Sequence, residues 1–282
     1  MNRPYALRAP TVSVATLLGL WLPLAVIVLW ALVALLGPLL PLAPDTIVLQ
    51  HILLPPGSEH WLGADDLGRS LGVRVLAGAQ TSFIVALWVV LVSTLVGTGI
   101  GMFSGYLGGR WDLLVVRIMD IFLAFPGILL AIALAGILGP GIENVVIALS
   151  VVGWVGYARL ARAQVLSLKH REHVQAAVAL GAGTGRIVFR HLLPLIMAPL
   201  IVEASFGIAG IVIAEAGLSF LGLGVQPPEA SWGSMIRDGA RYLLVAPHMV
   251  LVPGVALMLV VLSVNLLGDR LRDRLDVRNQ KR

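Results

Sequence analysis

No residue carries a charge between Arg8 and Asp45, between Arg74 and Arg110, between Asp120 and Glu143, or between Arg241 and Asp269. Each of these windows can hold the roughly 20 apolar residues that cross a bilayer as a helix. A water-soluble fold of this size needs more charge to cover its surface; only 12% of the 282 residues are charged, against 58% hydrophobic. The windows therefore predict an all-α integral membrane protein with several spans. The first apolar run, from Val12 to about Leu36, is longer than the roughly 7–15-residue core of a signal peptide, so it reads as an uncleaved span.

The pattern predicts six transmembrane helices, near 12–36, 81–106, 112–138, 142–166, 192–217 and 244–268. Placing the N-terminus inside leaves four of the 20 lysines and arginines outside (Arg69, Arg74, Arg237 and Arg241) and 16 inside. That asymmetry fixes both termini in the cytoplasm. It also divides the chain into residues 1–80 (tail, first helix and external segment), a five-helix core over 81–268 with a cytoplasmic loop at 167–191, and a basic tail at 269–282. The formal charge of +5 follows topology rather than forming a patch, so no nucleic-acid partner is expected. There is no cysteine, hence neither a disulfide nor a thiolate metal site.

The long polar interruption in the second half runs from His170 to Pro194. Val174, Ala177 and Val178 give its first part a narrow apolar stripe at helical spacing, with His170, Arg171, Glu172, His173 and Gln175 elsewhere on its surface. Gly181-Ala182-Gly183 ends that helix, Thr184 caps the next piece ahead of Arg186, and Pro194 belongs in the first turn of a following helix. A basic helix-turn-helix knob between two spans is shaped to dock into a soluble partner.

Gln175-Ala176-Ala177, then Gly181, then Leu193-Pro194 keep the spacing E-A-A-x3-G-x9-I-x-L-P, with Gln175 and His191 replacing the glutamate and isoleucine. In this the knob resembles the "EAA" loop of ABC-importer permeases. HWLGADDLGRS (60–70), SGYLGGRWD (104–112), VRIMDIFLAFP (116–126), EAGLSFLGLGVQPP (215–228) and NLLGDRLRDRLD (265–276) are similar to further stretches of one branch. That branch is the C-type permease subunit of dipeptide, oligopeptide and nickel importers; Trp61, Ala64 and Ser70 depart from its pattern. The resemblance implies a type I ABC importer fold with cytoplasmic coupling helices, in a bacterial inner membrane. It implies a heterodimer with a homologous B-type permease, two cytosolic ATPase subunits that bind ATP and Mg, and an extracytoplasmic binding protein. Coupling to the ATPases would rest on Glu172, Gln175, Ala176, Ala177, Gly181, Ala182, Arg186, Leu193 and Pro194. Short peptides are the implied cargo, with nickel or another small solute as the alternative.

The other polar residues allow a structural and a functional reading each. Asp65, Asp66 and Arg69 are expected to cap and pair within an exposed turn of a Pro-rich external segment, rather than to touch substrate. Gly97, Gly101 and Gly105 are spaced for close helix packing in lipid. Arg117 and Asp120 can pair three residues apart, and Pro126 should kink its span. Arg159 and Arg162 read as inner-face anchors. Glu203, with Ser205 nearby, stands near mid-span and either faces a wet translocation path or packs against a partner; Glu215, near the outer end, reads as a cap or gate hinge. Residues 229–243 are expected to form an external loop, a docking surface for a binding protein or an interfacial anchor.

This chain is not expected to bind and hydrolyse ATP through a phosphate loop. There is no G-x-x-x-x-G-K-[ST] loop, and GAGTGR (181–186) lacks the lysine and a preceding buried strand. The six histidines show no metal-ligand spacing and no G-x-S-x-G elbow is present, so neither a metal site nor a catalytic residue is expected. An ion-coupled secondary transporter would need paired broken helices with midplane acids, which only Glu203 suggests. A non-transporting scaffold is the remaining class, separable by any uptake at all.

Overall fold

In the computed structural model of the protein, residues 14–58 and 60–275 are described, and every regular element among them is helical. The predicted start of the first span at residue 12, together with Arg3, Arg8, Arg278, Lys281 and Arg282, lies outside those residues. Helices α1 (Val14–Leu36), α2 (Leu71–Leu107), α5 (Ile142–Leu168), α8 (Leu193–Phe220) and α10 (His248–Leu275) are long and apolar. Together with the bent pair α3 (Gly109–Leu123) and α4 (Gly127–Leu138), they give five spans, or six if the pair is counted as one.

The core is organised by the close approach of α2 and α5. A Cβ on Gly97, Gly101 or Gly105 would run into the backbone at Trp154, Ala158 and Arg162 respectively. The three contacts step four residues at a time along both helices, so the glycine stripe is the seam on which α5 lies. Gly99 faces away, with nothing within 4 Å of its Cβ direction. The seam is flanked by Val85 and Val89 against Val145 and Ala148 toward one end, and by Met102 against Tyr157, Ala161 and Val165 toward the other.

Two spans differ from the sequence expectation. Helix α2 begins at Leu71, ten residues before the predicted 81, because its first turns are buried beneath the outer cap instead of lying in the external segment. Pro126 does more than kink its span. It ends α3 and starts α4, and the two axes turn by 85°. Proline removes a helix hydrogen bond and clashes with the preceding turn, and Gly127 next to it offers no side chain to hold the helix straight.

The outer cap is built from the segment between α1 and α2 and from α9 (Trp232–Ala240). Residues 229–243 are therefore largely helical and partly interior rather than an exposed loop: Trp232 is 2% exposed. Its indole Nε1 donates to Val75 O at 3.0 Å, and Ser231 and Ser234 form a reciprocal capping box at the start of α9. On the other side Trp30 Nε1 donates to Ala79 O at 3.0 Å, tying α1 to α2.

Candidate functional site

The polar knob folds as α6 (Glu172–Ala179) and the short α7 (Thr184–Arg186), which runs through a wide π turn (Ile187–Leu192) into α8. Gly181 has φ +80°, a conformation that L side chains resist. It lets Gly181 N donate to Val178 O at 2.9 Å and Ala182 N to Ala177 O at 3.0 Å. That pair of bonds is a Schellman closure with Gly181 at the left-handed position, satisfying carbonyls that the end of α6 would otherwise leave open.

The next helix starts differently from the expectation. Gly183, not Thr184, occupies the cap position, and Thr184 is already helical with no capping side-chain bond. Pro194 lies in the first turn of α8 but within continuous helix. The π turn before it loosens the backbone where proline has no N–H to give.

Val174 buries against Leu168, Ile187, Val188 and Leu192 and so pins α6 to the inner ends of α5 and α8, and Ala177 on the same face is buried too. Val178, placed with them by its spacing, points outward instead at 44% exposure, and Leu180 is 88% exposed. Glu172, Gln175, Ala176, Gly181, Arg186 and Pro194 are also exposed; Ala182 and Leu193 are half-buried. Of the residues expected to contact the ATPases, only Ala177 is buried. The outward surface thus combines polar groups with an apolar tip at Val178 and Leu180, and Leu180 is the residue that pattern reasoning missed. Its signal was present, since a leucine just before a helix-closing glycine has no interior to enter. The Gln175 amide Nε2 donates to Lys169 O at 3.0 Å, bracing the loop that leads into α6.

Beside the knob a charged clamp joins α3 to α5. Arg162 Nε and Nη2 donate to the two Asp112 carboxylate oxygens at 2.6 and 2.7 Å, and Ser104 Oγ donates to Oδ1 at 2.6 Å. Lys169 Nζ caps Gly105 O at 3.0 Å, so the inner end of α2 is held too. Arg162 is therefore a paired, half-buried strut, not a snorkelling anchor; Arg159 is exposed. Arg162→Ala should cost about 2 kcal/mol, below the cost of breaking a fully buried pair because water reaches both side chains. It should lower the thermal midpoint of the purified protein, with Arg162→Lys falling in between because lysine cannot make the two-pronged contact. An unchanged midpoint in both variants would exclude a structural clamp.

Glu203, Ser205 and Glu215, the polar residues singled out on the fifth span, do not converge. Glu215 is 1% exposed and accepts hydrogen bonds from Ser82 Oγ at 3.0 Å and Ser219 Oγ at 2.7 Å. It is a buried acceptor between α2 and α8. Ser205 donates to Ile201 O at 2.9 Å, and it lines an apolar cavity of about 370 Å³ between α1, α2, α8 and α10. Glu203 is exposed on a different face of α8, beside a cavity of about 470 Å³.

On the outer side, Asp65 and Arg69 are buried at 3% and 7% exposure, so the expected surface turn is an internal one. Asp65 Oδ1 accepts from the backbone N of Leu67 and Arg69 at 2.9 Å each, and Arg69 Nε donates to Oδ2 at 2.7 Å. Arg74, from the first turn of α2, reaches the same carboxylate at 3.5 Å and Asp45 at 3.2 Å. Asp66 is only half-buried; desolvation and the neighbouring Asp65 charge push its carboxyl above the ordinary range despite Arg69. The capping role inferred from sequence is what the geometry displays, in a buried setting that explains why two arginines attend one aspartate.

A family model described as "Binding-protein-dependent transport system inner membrane component" matches residues 97–281. The chain is 46% identical over 222 residues to the dipeptide transport system permease protein DppC of Alkalihalophilus pseudofirmus, covering 78% of this chain and 73% of that one. It is 43% identical over 221 residues to the glutathione transport system permease protein GsiD of Pectobacterium atrosepticum, with coverage of 78% and 73%. With the probable D,D-dipeptide transport system permease protein DdpC of Escherichia coli, identity is 41% over 252 residues, covering 89% and 85%. Among solved structures, a chain of the inward-facing MetNI methionine ABC transporter superposes with a TM-score of 0.59 at 19% identity, over 72% of this chain and 96% of that one. That likeness concerns the fold.

Proposed function

The chain belongs to the family of binding-protein-dependent transport system inner membrane components, the permeases of ABC importers, and we propose that it carries short peptides into a bacterial cell. The observation that supports the cargo is its similarity to permeases named for dipeptide and glutathione transport. The knob supports the mode of action. It is an exposed apolar tip on a helix held rigidly to α5 and α8, which suits a socket on a cytosolic ATPase. Closure of an ATPase dimer would move the knob as a body, and α5 and α8 would carry that movement to the spans. The chain's own part is mechanical; ATP and Mg belong to the two ATPases.

In this proposal a homologous B-type permease completes the membrane unit, and an extracytoplasmic binding protein delivers the solute. Both termini lie in the cytoplasm of the inner membrane, as the charge asymmetry requires. Glu172, Gln175, Ala176, Gly181, Arg186 and Pro194 serve the docking surface together with Leu180, with half-buried Ala182 and Leu193 at its edge and buried Ala177 supporting it from within. Asp65, Asp66 and Arg69 hold the outer segment, and Glu203 is the residue of α8 that this reading assigns to the translocation path, with Ser205 and Glu215 on the same helix.

The test is purification of the tagged chain from mild detergent extract, with mass spectrometry of its companions. A second permease and ATPase subunits should co-purify, and the reconstituted complex should take up labelled dipeptide with ATP and its binding protein. Recovery of the chain alone, from an extract in which another ABC complex stays intact, would defeat the proposal.

A further inference from the structure

Two open cavities lie on either side of Leu160 on α5. One, of about 470 Å³, is bordered by Ala198, Val202 and Glu203 of α8, with Arg272 and Leu275 of α10 at its far end. The other, of about 630 Å³, is bordered by Met119 and Asp120 of α3 and by Arg159 and Ala163 of α5. Leu160 belongs to both, and Glu203 Oε1 lies only 3.9 Å from where a Cβ on Gly156, which borders the second, would stand. The two cavities therefore adjoin across one bare turn of α5.

Their charges are unequal. Arg162 is committed to Asp112, and Asp120 has Arg117 at 3.9 Å. Glu203 and Arg159 are exposed, and neither makes an ion pair or a side-chain hydrogen bond among the described residues. Both lie on membrane-spanning helices, Arg159 toward the inner end of α5 and Glu203 on α8. An unpaired charge within a span cannot face lipid without a large cost, so it meets water or a polar partner.

We propose that these adjoining cavities are this chain's share of a binding vestibule for zwitterionic solutes, with Glu203 receiving the ammonium end and Arg159 the carboxylate end. The proposal rests on the permease reading and adds the chemistry of its path. Two opposite, unpaired charges flanking an apolar leucine suit a solute with charged ends and a small uncharged middle. Asp120 and Arg272 sit at the margins, where they extend the polar lining. An anion or cation alone would leave one of the two unpaired charges unanswered.

The test uses the complete permease–ATPase complex in inverted vesicles. This chain has no cysteine, so a single introduced thiol reports without background from the chain itself. Val202→Cys and Ala163→Cys each border one cavity, with Ala198→Cys as a second reporter for the first; Leu259→Cys, on the exposed apolar side of α10, is the dry control. Water-soluble methanethiosulfonates of opposite charge are the probes. The cationic reagent should react several-fold faster at Val202→Cys and the anionic one at Ala163→Cys. Each preference should vanish when Glu203→Gln or Arg159→Gln, respectively, is added, and alanyl-alanine should slow both reactions. Reaction no faster than at Leu259→Cys would overturn the vestibule. Equal rates for both reagents, preferences that survive neutralisation, or no protection by the dipeptide would overturn the assignment of charges. Dipeptide uptake by the complex without an introduced cysteine is measured in parallel, in right-side-out vesicles with its binding protein. Absence of uptake there sinks the cargo reading, whereas uptake with unreactive cysteines sinks only the vestibule.

Discussion

Replacing Gly101 with leucine is expected to prevent the permease from folding. Its Cβ direction points into the Ala158 carbonyl of α5, and the next glycines along the stripe meet Trp154 and Arg162 in the same way. A side chain there cannot be absorbed by rotating a neighbour, because the obstacle is backbone. Separating the helices by the width of a leucine would open the seam along its length, unpacking Met102 from Tyr157 and Ala161. It would also pull Asp112 and Ser104 away from Arg162. Overpacking a side-chain core costs about 1–3 kcal/mol, and a backbone contact shared by three successive turns belongs above that range. Gly99→Leu is the matched control, on the same helix and two residues away, with open space beside it. The measurement is monodisperse yield by size-exclusion chromatography with a fluorescent tag. Gly99→Leu should keep most of the wild-type peak and Gly101→Leu should lose it. Equal yields would mean that the helices are not locked at this seam.

Much of this architecture was legible because lipid leaves a chain few choices. Uncharged windows long enough to span can only be helices there, and four-residue glycine spacing can only be useful as a packing seam. What the pattern could not supply was the partner of each face. Nothing in the spacing of Gly97, Gly101 and Gly105 says that α5 is what lies against them. Arg162 reads locally as an inner-face anchor because its acceptor, Asp112, is 50 residues away. Asp65 and Arg69 read as an exposed turn because the cap that buries them includes a helix more than 160 residues downstream, where Trp232 closes over α2. The knob shows the same division on a smaller scale. Its helix, its closing glycine and the buried pair Val174 and Ala177 follow from spacing. Val178 does not, because an eight-residue helix lying on a bundle buries one narrow stripe and turns the remainder to the outside.

Gly181→Val is expected to separate ATP hydrolysis from transport while leaving the spans intact. At φ +80° the glycine closes α6, and no atom lies within 4 Å of its Cβ direction, so a substitution suffers from backbone strain and not from collision. For an L residue that conformation costs roughly 1–2 kcal/mol, and more when the side chain is β-branched. The strain is relieved by giving up the two bonds that depend on it, Gly181 N to Val178 O and Ala182 N to Ala177 O. Val178 and Leu180 then lose their fixed direction, although Val174 and Ala177 stay buried. The transmembrane seam is untouched, so the thermal midpoint should change little. A penalty of this size corresponds to about a five- to thirty-fold shift in population. Peptide uptake by the reconstituted complex should fall by about that factor, with ATP turnover retained or raised. Gly181→Asn provides the internal scale, because asparagine tolerates the left-handed region, and it should transport better than Gly181→Ala and both better than valine. Ordering by volume alone would predict alanine ahead of asparagine, so the ranking of these two distinguishes strain from crowding. Normal coupling in the valine variant would remove the knob from the mechanism, and loss of assembly together with loss of uptake would make it an adhesive surface instead of a transmitter.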